Sequence, residues 1–459
     1  MKRLLICISI VIIASSCSDK SPGPLGSDVE YSQTAADSQL QSISRPDALT
    51  VFFTGNELGA LKPCGCSGGQ LGGLDRRSAI FKRAPRESRL IVDTGSFVKS
   101  DAEQDLIKFN IIVQALGLIG YDVVNLREQD IEIGGNLDLL DSIGSMTNII
   151  TACDDAELNL PSSFTVDLLL NNKDIPVTLA AFDPETRPVE AIRELFPVLS
   201  QPCVNILILN YYDPDIIASI AKNAPFVDCI ACSAESDEPI LMGNPNDRPL
   251  VFSVGRYGRH ICGVQISENS RSKRKLAFRF FDIKVEEHLE QEVSLIDLYS
   301  DYQQIVKQHN LLEKYPRLPL PNGLKYAGSE SCASCHQYEY IAWMDQDHAK
   351  AYATLEEVGS QYDPECVICH VIGMDYDSGY ISEKQTPLMK DVGCENCHGP
   401  GSAHNLHPYE SKTTISDPGS ICIKCHTPEH SGDYAGNEEE KLQKIKHWLE
   451  PNEPVSVQY

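Results

Sequence analysis

The sequence predicts an α/β sandwich over its first two-thirds, followed by a mostly α-helical and loop region at the C-terminus. Two patterns carry this expectation. From about Ala48 to Val285, short β-branched runs (Leu49–Thr54, Arg89–Asp93, Asp122–Leu126, Asn205–Asn210) alternate with amphipathic stretches, the pattern of strands separated by surface helices. Beyond residue 330 the runs fade and cysteine and histidine dominate, with nine of the twelve histidines in that part.

At 459 residues the chain has room for several domains of roughly 100–200 residues each. A net charge of −26 repels nucleic acid and anionic lipid at long range, so neither is an expected partner. A basic partner would be steered towards it, although the acidity also serves plain solubility.

The N-terminus opens with Lys2 and Arg3, continues with an apolar run from Leu4 to Ile13, and ends in Ala14-Ser15-Ser16-Cys17. The run is too short to span a bilayer, and the whole reads as a signal peptide over 1–17. Small residues directly before Cys17 resemble a bacterial lipobox, which implies lipidation of Cys17. Ala14 stands where such signals prefer Leu, and the competing reading is ordinary cleavage that leaves a thiol. Residues 18–46, rich in Ser, Asp, Gln and Gly, read as a flexible tether. The expected address is the cell envelope, as a periplasmic-facing or surface lipoprotein.

Eight of the seventeen cysteines share one pattern. Cys332-Ala-Ser-Cys335-His336, Cys366-Val-Ile-Cys369-His370, Cys394-Glu-Asn-Cys397-His398 and Cys422-Ile-Lys-Cys425-His426 each spell C-x-x-C-H, the c-type haem attachment motif. Two thiols three residues apart form thioethers to one porphyrin edge, and the adjacent His lies under the iron. Structural zinc sites do not require that following His. Four covalent c-type haems are therefore expected, with His336, His370, His398 and His426 as proximal ligands.

Five further histidines are then available for four open iron positions: His348, His404, His407, His430 and His447. That supply predicts mostly bis-His, electron-transferring haems, with one iron able to stay five-coordinate and reactive. His348, on the expected helix from Trp343 to Tyr352, and His404, after the Gly399-Pro-Gly-Ser-Ala turn, are the leading distal candidates. His407, His430 and His447 are read equally well as surface residues. Met374 is an alternative axial ligand whose expected role is packing. The peptide between motifs has few large apolar side chains, so the haems are expected to form the core there.

The stretch from Tyr326 to His336, Trp343 to His348, and Val392 to His404 together resemble the cytochrome c-554-like multihaem family. The resemblance covers about residues 320–450. It implies stacked haem pairs, His348 and His404 as distal ligands, and electron transfer as the activity. The family's relationship to haem arrays of hydroxylamine oxidoreductase and nitrite reductase implies an alternative: a haem enzyme acting on a small nitrogen compound at one five-coordinate haem.

The first domain, 47–285, resembles the calcineurin-type metallophosphatase fold of bacterial 5′-nucleotidases. The residues concerned run from Phe53 to Gly73, then Val92-Asp-Thr-Gly-Ser96, then Gly120 to Asn125. An active member would carry Asp and His where Asn56 and Leu58 stand, Asp at Ser96, and Asn-His near Glu128-Gln129. The later ligand-bearing strand ends read Asn210-Tyr211-Tyr212 and Cys232-Ser-Ala-Glu235-Ser236. Independently of the family, a two-metal hydrolase needs several imidazoles and carboxylates on two ions, and His260 is the one histidine in this domain. The expectation is a degenerate, non-catalytic domain for docking, scaffolding or sensing.

Seven cysteines fall in that domain: Cys64, Cys66, Cys153, Cys203, Cys229, Cys232 and Cys262. An oxidising compartment favours disulfides among them, with one left over. Cys229-Ile-Ala-Cys232 reads as a structural bridge or buried thiols in preference to a redox pair, and Cys64-Gly-Cys66 fits either a metal site or a strained disulfide. Residues 286–322 are expected to be a helical linker, amphipathic from Glu286 to His309 and broken by the proline-rich stretch from Tyr315. The tetrahaem domain then occupies 323–450. The expected partners are periplasmic or membrane redox proteins and, through Cys17, the membrane itself.

Overall fold

A computed structural model describes residues 40–447 apart from 42, 64–69, 155–157, 200, 234, 246, 271–274, 416, 428–429 and 432. The signal peptide, Cys17, most of the tether, Cys64 and Cys66 lie outside the described residues.

Among the described residues, twelve strands form two six-stranded mixed sheets. The first has the order β12 (Leu276–Lys284), β11 (His260–Glu268), β1 (Ala48–Thr54), β2 (Arg89–Asp93), β3 (Val123–Asn125), β4 (Asn148–Ile150). The run β1–β2–β3–β4 is parallel, and β11 and β12 add to it antiparallel. The second has the order β5 (Ser163–Leu170), β6 (Lys173–Phe182), β7 (Val204–Leu209), β8 (Cys229–Cys232), β10 (Leu250–Ser253), β9 (Leu241–Met242). Its central strands β6, β7, β8 and β10 are parallel. Each expected strand is present within one or two residues of its predicted ends.

Strand periodicity explains the layering. Side chains alternate between faces, so Leu49, Val51 and Phe53 of β1 meet Val177, Leu179 and Ala181 of β6 between the sheets. Phe53 packs edge-on against Phe252 of the opposing sheet, ring centres 5.2 Å apart. Phe52 faces the other way, into a core capped by helices, against Phe81 at 5.2 Å and Phe281 at 5.6 Å.

That outer core is completed by two 17-residue helices, α1 (Glu103–Ile119) and α2 (Val293–His309). The segment expected to be a linker is thus built into the sandwich: Leu295, Leu298, Tyr302 and Val306 of α2 are buried there. The end of the expected tether is corrected in the same way, because Leu40 and Ile43 are buried in this core. An apolar side chain at each position makes burial more favourable than solvation.

Cys229 and Cys232 are buried in β8, one in the core between the sheets and the other in the outer core of the second sheet. Three residues apart on a strand, they point to opposite faces. No bond between them is possible, so the buried-thiol alternative holds, and burial pushes the Cys232 thiol up to about 12.

The region after residue 323 is helix and loop. It contains α3 (Gln337–Met344), α4 (Ala351–Val358), α5 (Pro364–His370), α6 (Cys394–His398), α7 (Ser402–Leu406) and α8 (Glu438–Ile445). One small apolar cluster lies here, formed by Leu312, Tyr352, Leu355, Val367, Val371, Met374 and Tyr380. Met374 packs in it. Among the described residues, no helix is long and apolar enough to cross a membrane.

Phe52→Ala should lower stability of the sandwich by about 3–5 kcal/mol, the cost of a large cavity in a packed core. Leu118→Ala, at a side chain 52% exposed, should change it by no more than about 0.5 kcal/mol. Denaturant melts followed by far-UV circular dichroism compare the two.

Candidate functional site

Each C-x-x-C-H segment folds as a turn of helix. His336 and His426 donate their backbone N–H to the carbonyls of Cys332 and Cys422, at 2.9 and 2.8 Å. The second and third motifs lie within α5 and α6. A four-residue separation on a helix puts side chains on one face, so the first thiol and the imidazole of each motif share a side.

The imidazoles then meet in facing pairs. His336 lies opposite His404 with ring centres 6.0 Å apart, His426 opposite His348 at 6.1 Å, and His398 opposite His447 at 6.1 Å. His430 is an electrostatic neighbour of His370. Two metal–imidazole bonds of about 2 Å on either side of one ion separate the ring centres by roughly 6 Å. The residues present therefore fit a hexacoordinate iron between each facing pair.

Hydrogen bonds fix which nitrogen faces inward. Nδ1 of His404 donates to Ser411 O at 2.7 Å, and Nδ1 of His370 donates to Ala351 O. His426 and His430 use Nδ1 on Ser431 Oγ and Thr427 Oγ1, both at 2.8 Å. Nε2 is left for a metal, the arrangement typical of ligating histidines. Burial also holds His348, His370, His398 and His426 below the usual imidazole range, which favours the neutral form a metal requires.

The thiols show which motifs adjoin. The Cys332 and Cys394 sulfurs lie within reach of one another, so the first and third motifs touch. The Cys369 and Cys425 sulfurs likewise lie close together, joining the second motif to the fourth. Cys397 lies within the electrostatic reach of Cys422 and Cys425, linking third and fourth. The motifs thus form a row in the order first, third, fourth, second.

Glu395, between the two cysteines of the third motif, organises the first end of this row. Its carboxylate is 3% exposed and accepts from the backbone N–H of Ala327, Gly328 and Gly401 at 2.7–3.0 Å. It ties the approach to the first motif to the turn that delivers His404. Trp343 Nε1 donates to Val392 O at 2.9 Å, fastening α3 to the third motif.

Sequence reasoning singled out His348 and His404 and undervalued His447 and His430. His447 follows α8 with no local motif; only the long-range return of the chain brings it to His398. Glu395 carried no signal beyond its place inside a motif. His407 enters none of the facing pairs named above.

The strand ends of the sandwich hold a different arrangement. Asn56, Leu58 and Ser96, which the phosphatase resemblance matches to ligand positions, have φ of 51°, 50° and 64°, a left-handed conformation uncommon outside glycine. Asn56 Oδ1 accepts from Arg127 Nη2 at 3.1 Å and from Ser233 Oγ at 3.0 Å. Arg127 also donates to Ser233 Oγ and to Thr94 O. One guanidinium thus spans the residues following β1, β2 and β8.

Beneath it lies a closed ion pair, Arg77 with Glu57 at 2.6 Å, both side chains fully buried. Asp93 accepts from Thr54 Oγ1 at 2.6 Å, and Tyr121 OH bridges Thr54 and Arg77. Gly258 passes over the pair at φ 58°, where a Cβ would lie 1.8 Å from Arg77 Nη2. Among the described residues, no three His, Cys, Asp or Glu side chains converge as a metal site. Arg127 was not foreseen, because an arginine between two unremarkable residues has no motif.

Residues 331–399 match the family model of cytochrome c554 and c-prime. Over that stretch the chain is similar to c-type cytochromes. Cytochrome c-554 of Nitrosomonas europaea is 36% identical over 91 residues, which is 17% of this chain and 39% of that protein. The chain thus matches well under two-thirds of that relative's length. Among solved structures, a 5′-nucleotidase precursor from Thermus thermophilus is similar at TM-score 0.43 and 14% identity over 68% of each chain. A calcineurin-like phosphoesterase from Bacillus subtilis is similar at TM-score 0.40 and 12% identity over 57% of this chain and 98% of its own.

Burial, and then Glu57, push the Asp93 carboxyl up to about 7. The folded state therefore holds its proton more tightly than the unfolded state, and unfolding releases it between about pH 4 and 7. Stability from this group is greatest below that window and is lost as pH rises through it, by an amount on the order of a few kcal/mol. Asp93→Asn should flatten the fall in stability between pH 5 and pH 8, measured by urea melts at both.

Proposed function

We propose that this protein is an envelope electron carrier that binds four covalent c-type haems, with a non-catalytic phosphatase-like domain as its docking or scaffolding part. The observation that carries the reading is the facing of three motif histidines with three distal histidines at 6.0–6.1 Å. Cys332 and Cys335, Cys366 and Cys369, Cys394 and Cys397, and Cys422 and Cys425 are the attachment thiols. Their haems, when bound, supply reversible one-electron redox chemistry at iron.

The chain's own residues do the rest. His404, His447 and His348 would hold an iron together with His336, His398 and His426, and His430, an electrostatic neighbour of His370, would serve with it at the second motif. Ligands on both faces exclude substrate from the metal, which suits electron transfer over catalysis. The order first, third, fourth, second gives a path with one end at the first motif and the other at the second. Periplasmic or membrane redox proteins are the partners, and the net charge of −26 favours basic surfaces. In the sandwich, the Arg127 guanidinium bonds Asn56 and Ser233 at the strand ends, where the phosphatase resemblance would put metal ligands, which supports a non-catalytic role.

A pyridine haemochrome assay with intact-mass analysis should give four haems per chain. His404→Ala, His348→Ala and His447→Ala should each retain four and convert one iron to a high-spin signal in resonance Raman spectra. A high-spin signal in the unmutated protein that moves on adding nitric oxide or hydroxylamine would instead favour the small-nitrogen enzyme. Lipidation at Cys17 predicts that Cys17→Ser moves the protein from the membrane fraction to the soluble one, read by immunoblot.

A further inference from the structure

Helices α1 and α2 of the sandwich make a concentrated set of contacts with one stretch of the cytochrome region. Gln303 of α2 donates to Val358 O at 2.8 Å and to Ser360 Oγ at 3.1 Å, and Lys307 lies over the Tyr362 ring at 4.8 Å. Gln104 of α1 and Tyr302 of α2 each donate to Asp363, both at 2.8 Å. Lys108 of α1, only 5% exposed, pairs with Glu365. All six contacts fall between residues 358 and 365, directly before Cys366.

Asp363 is the innermost member. It is 7% exposed and is also the N-cap of α5, accepting from Glu365 N at 2.9 Å. Cys366 follows three residues later, on the same face of the helix. A carboxylate shielded from water therefore lies within one helical turn of the first attachment thiol of the second motif. Two of the donors that define its charge come from the other domain.

We propose that the sandwich domain sets the reduction potential of the haem at Cys366–His370 through Asp363, with Gln104 and Tyr302 as positioning residues. This deepens the electron-carrier reading and rests on the second motif holding a haem. A fixed negative charge in a poorly solvated site favours the more positive, oxidised iron and lowers its potential, and donors to the carboxylate moderate that effect. The second motif is one end of the row, so the same contact makes the domain an adjuster of the terminal electron site.

The test is spectroelectrochemical titration of the full-length holoprotein at pH 8, comparing wild type, Asp363→Asn and Tyr302→Phe. Asparagine retains the helix cap while removing the charge, so one of the four waves should move to higher potential. Tyr302→Phe removes one donor and leaves the carboxylate, so the same wave should move to lower potential while the other three stay in place. Loosened packing alone would not give shifts of opposite sign. Unmoved waves in Asp363→Asn, or shifts in the same direction in both variants, would overturn the proposal. Haem content by pyridine haemochrome, measured on each sample, separates this from failure of the underlying reading. Fewer than four haems in the wild type would remove the electron-carrier assignment itself, and the proposal with it.

Discussion

The spacing between opposed imidazoles is the constraint on which the C-terminal third depends. Three pairs of rings stand about 6 Å apart, and backbone or hydroxyl acceptors on Nδ1 turn ring nitrogens inward at His404, His426, His370 and His430. The peptide there has one small apolar cluster, around Tyr352 and Tyr380, which is too little to organise more than a hundred residues. The order of this region comes from polar devices: a turn of helix per motif, the Glu395 carboxylate gathering three backbone N–H groups, and Trp343 anchored on Val392. Such devices aim side chains; they do not bury area.

The sandwich works by the opposite logic. Alternating strand faces divide its apolar residues between one core shared by the sheets and two outer cores, and edge-to-face phenylalanines lock the layers. That is why α2 cannot be a passive connection. Its buried face contributes Leu295, Leu298, Tyr302 and Val306 to the same core as Phe52, and Leu311 just beyond the helix joins them, so the polypeptide leaves the sandwich only after that residue. Tyr302 then serves both parts, with its ring in the apolar core and its hydroxyl on Asp363.

Much of this was legible in the sequence because it is local. Strands β1, β2, β3 and β7 declare themselves in β-branched runs, and the four C-x-x-C-H segments declare themselves in spacing. His348 and His404 were legible for the same reason, since each lies within a short, recognisable stretch. His447 and Glu395 were not, because what they do depends on where distant segments return. Leu40 and Ile43 were read from composition as tether, and α2, whose periodicity did declare an amphipathic helix, was read as a linker; each instead joins the edge of an existing core. Arg127 illustrates the same limit, since its guanidinium matters only through Asn56 and Ser233, 71 and 106 residues away in sequence.

The Arg127 bridge also bears on how the sandwich is supplied. Ions at a strand-end site must be captured from the surroundings, compete with other species and can be stripped by chelators. A guanidinium is built in with the chain and keeps its proton at any physiological pH. The strand ends are therefore held together from the moment of folding by a group that the chain itself carries.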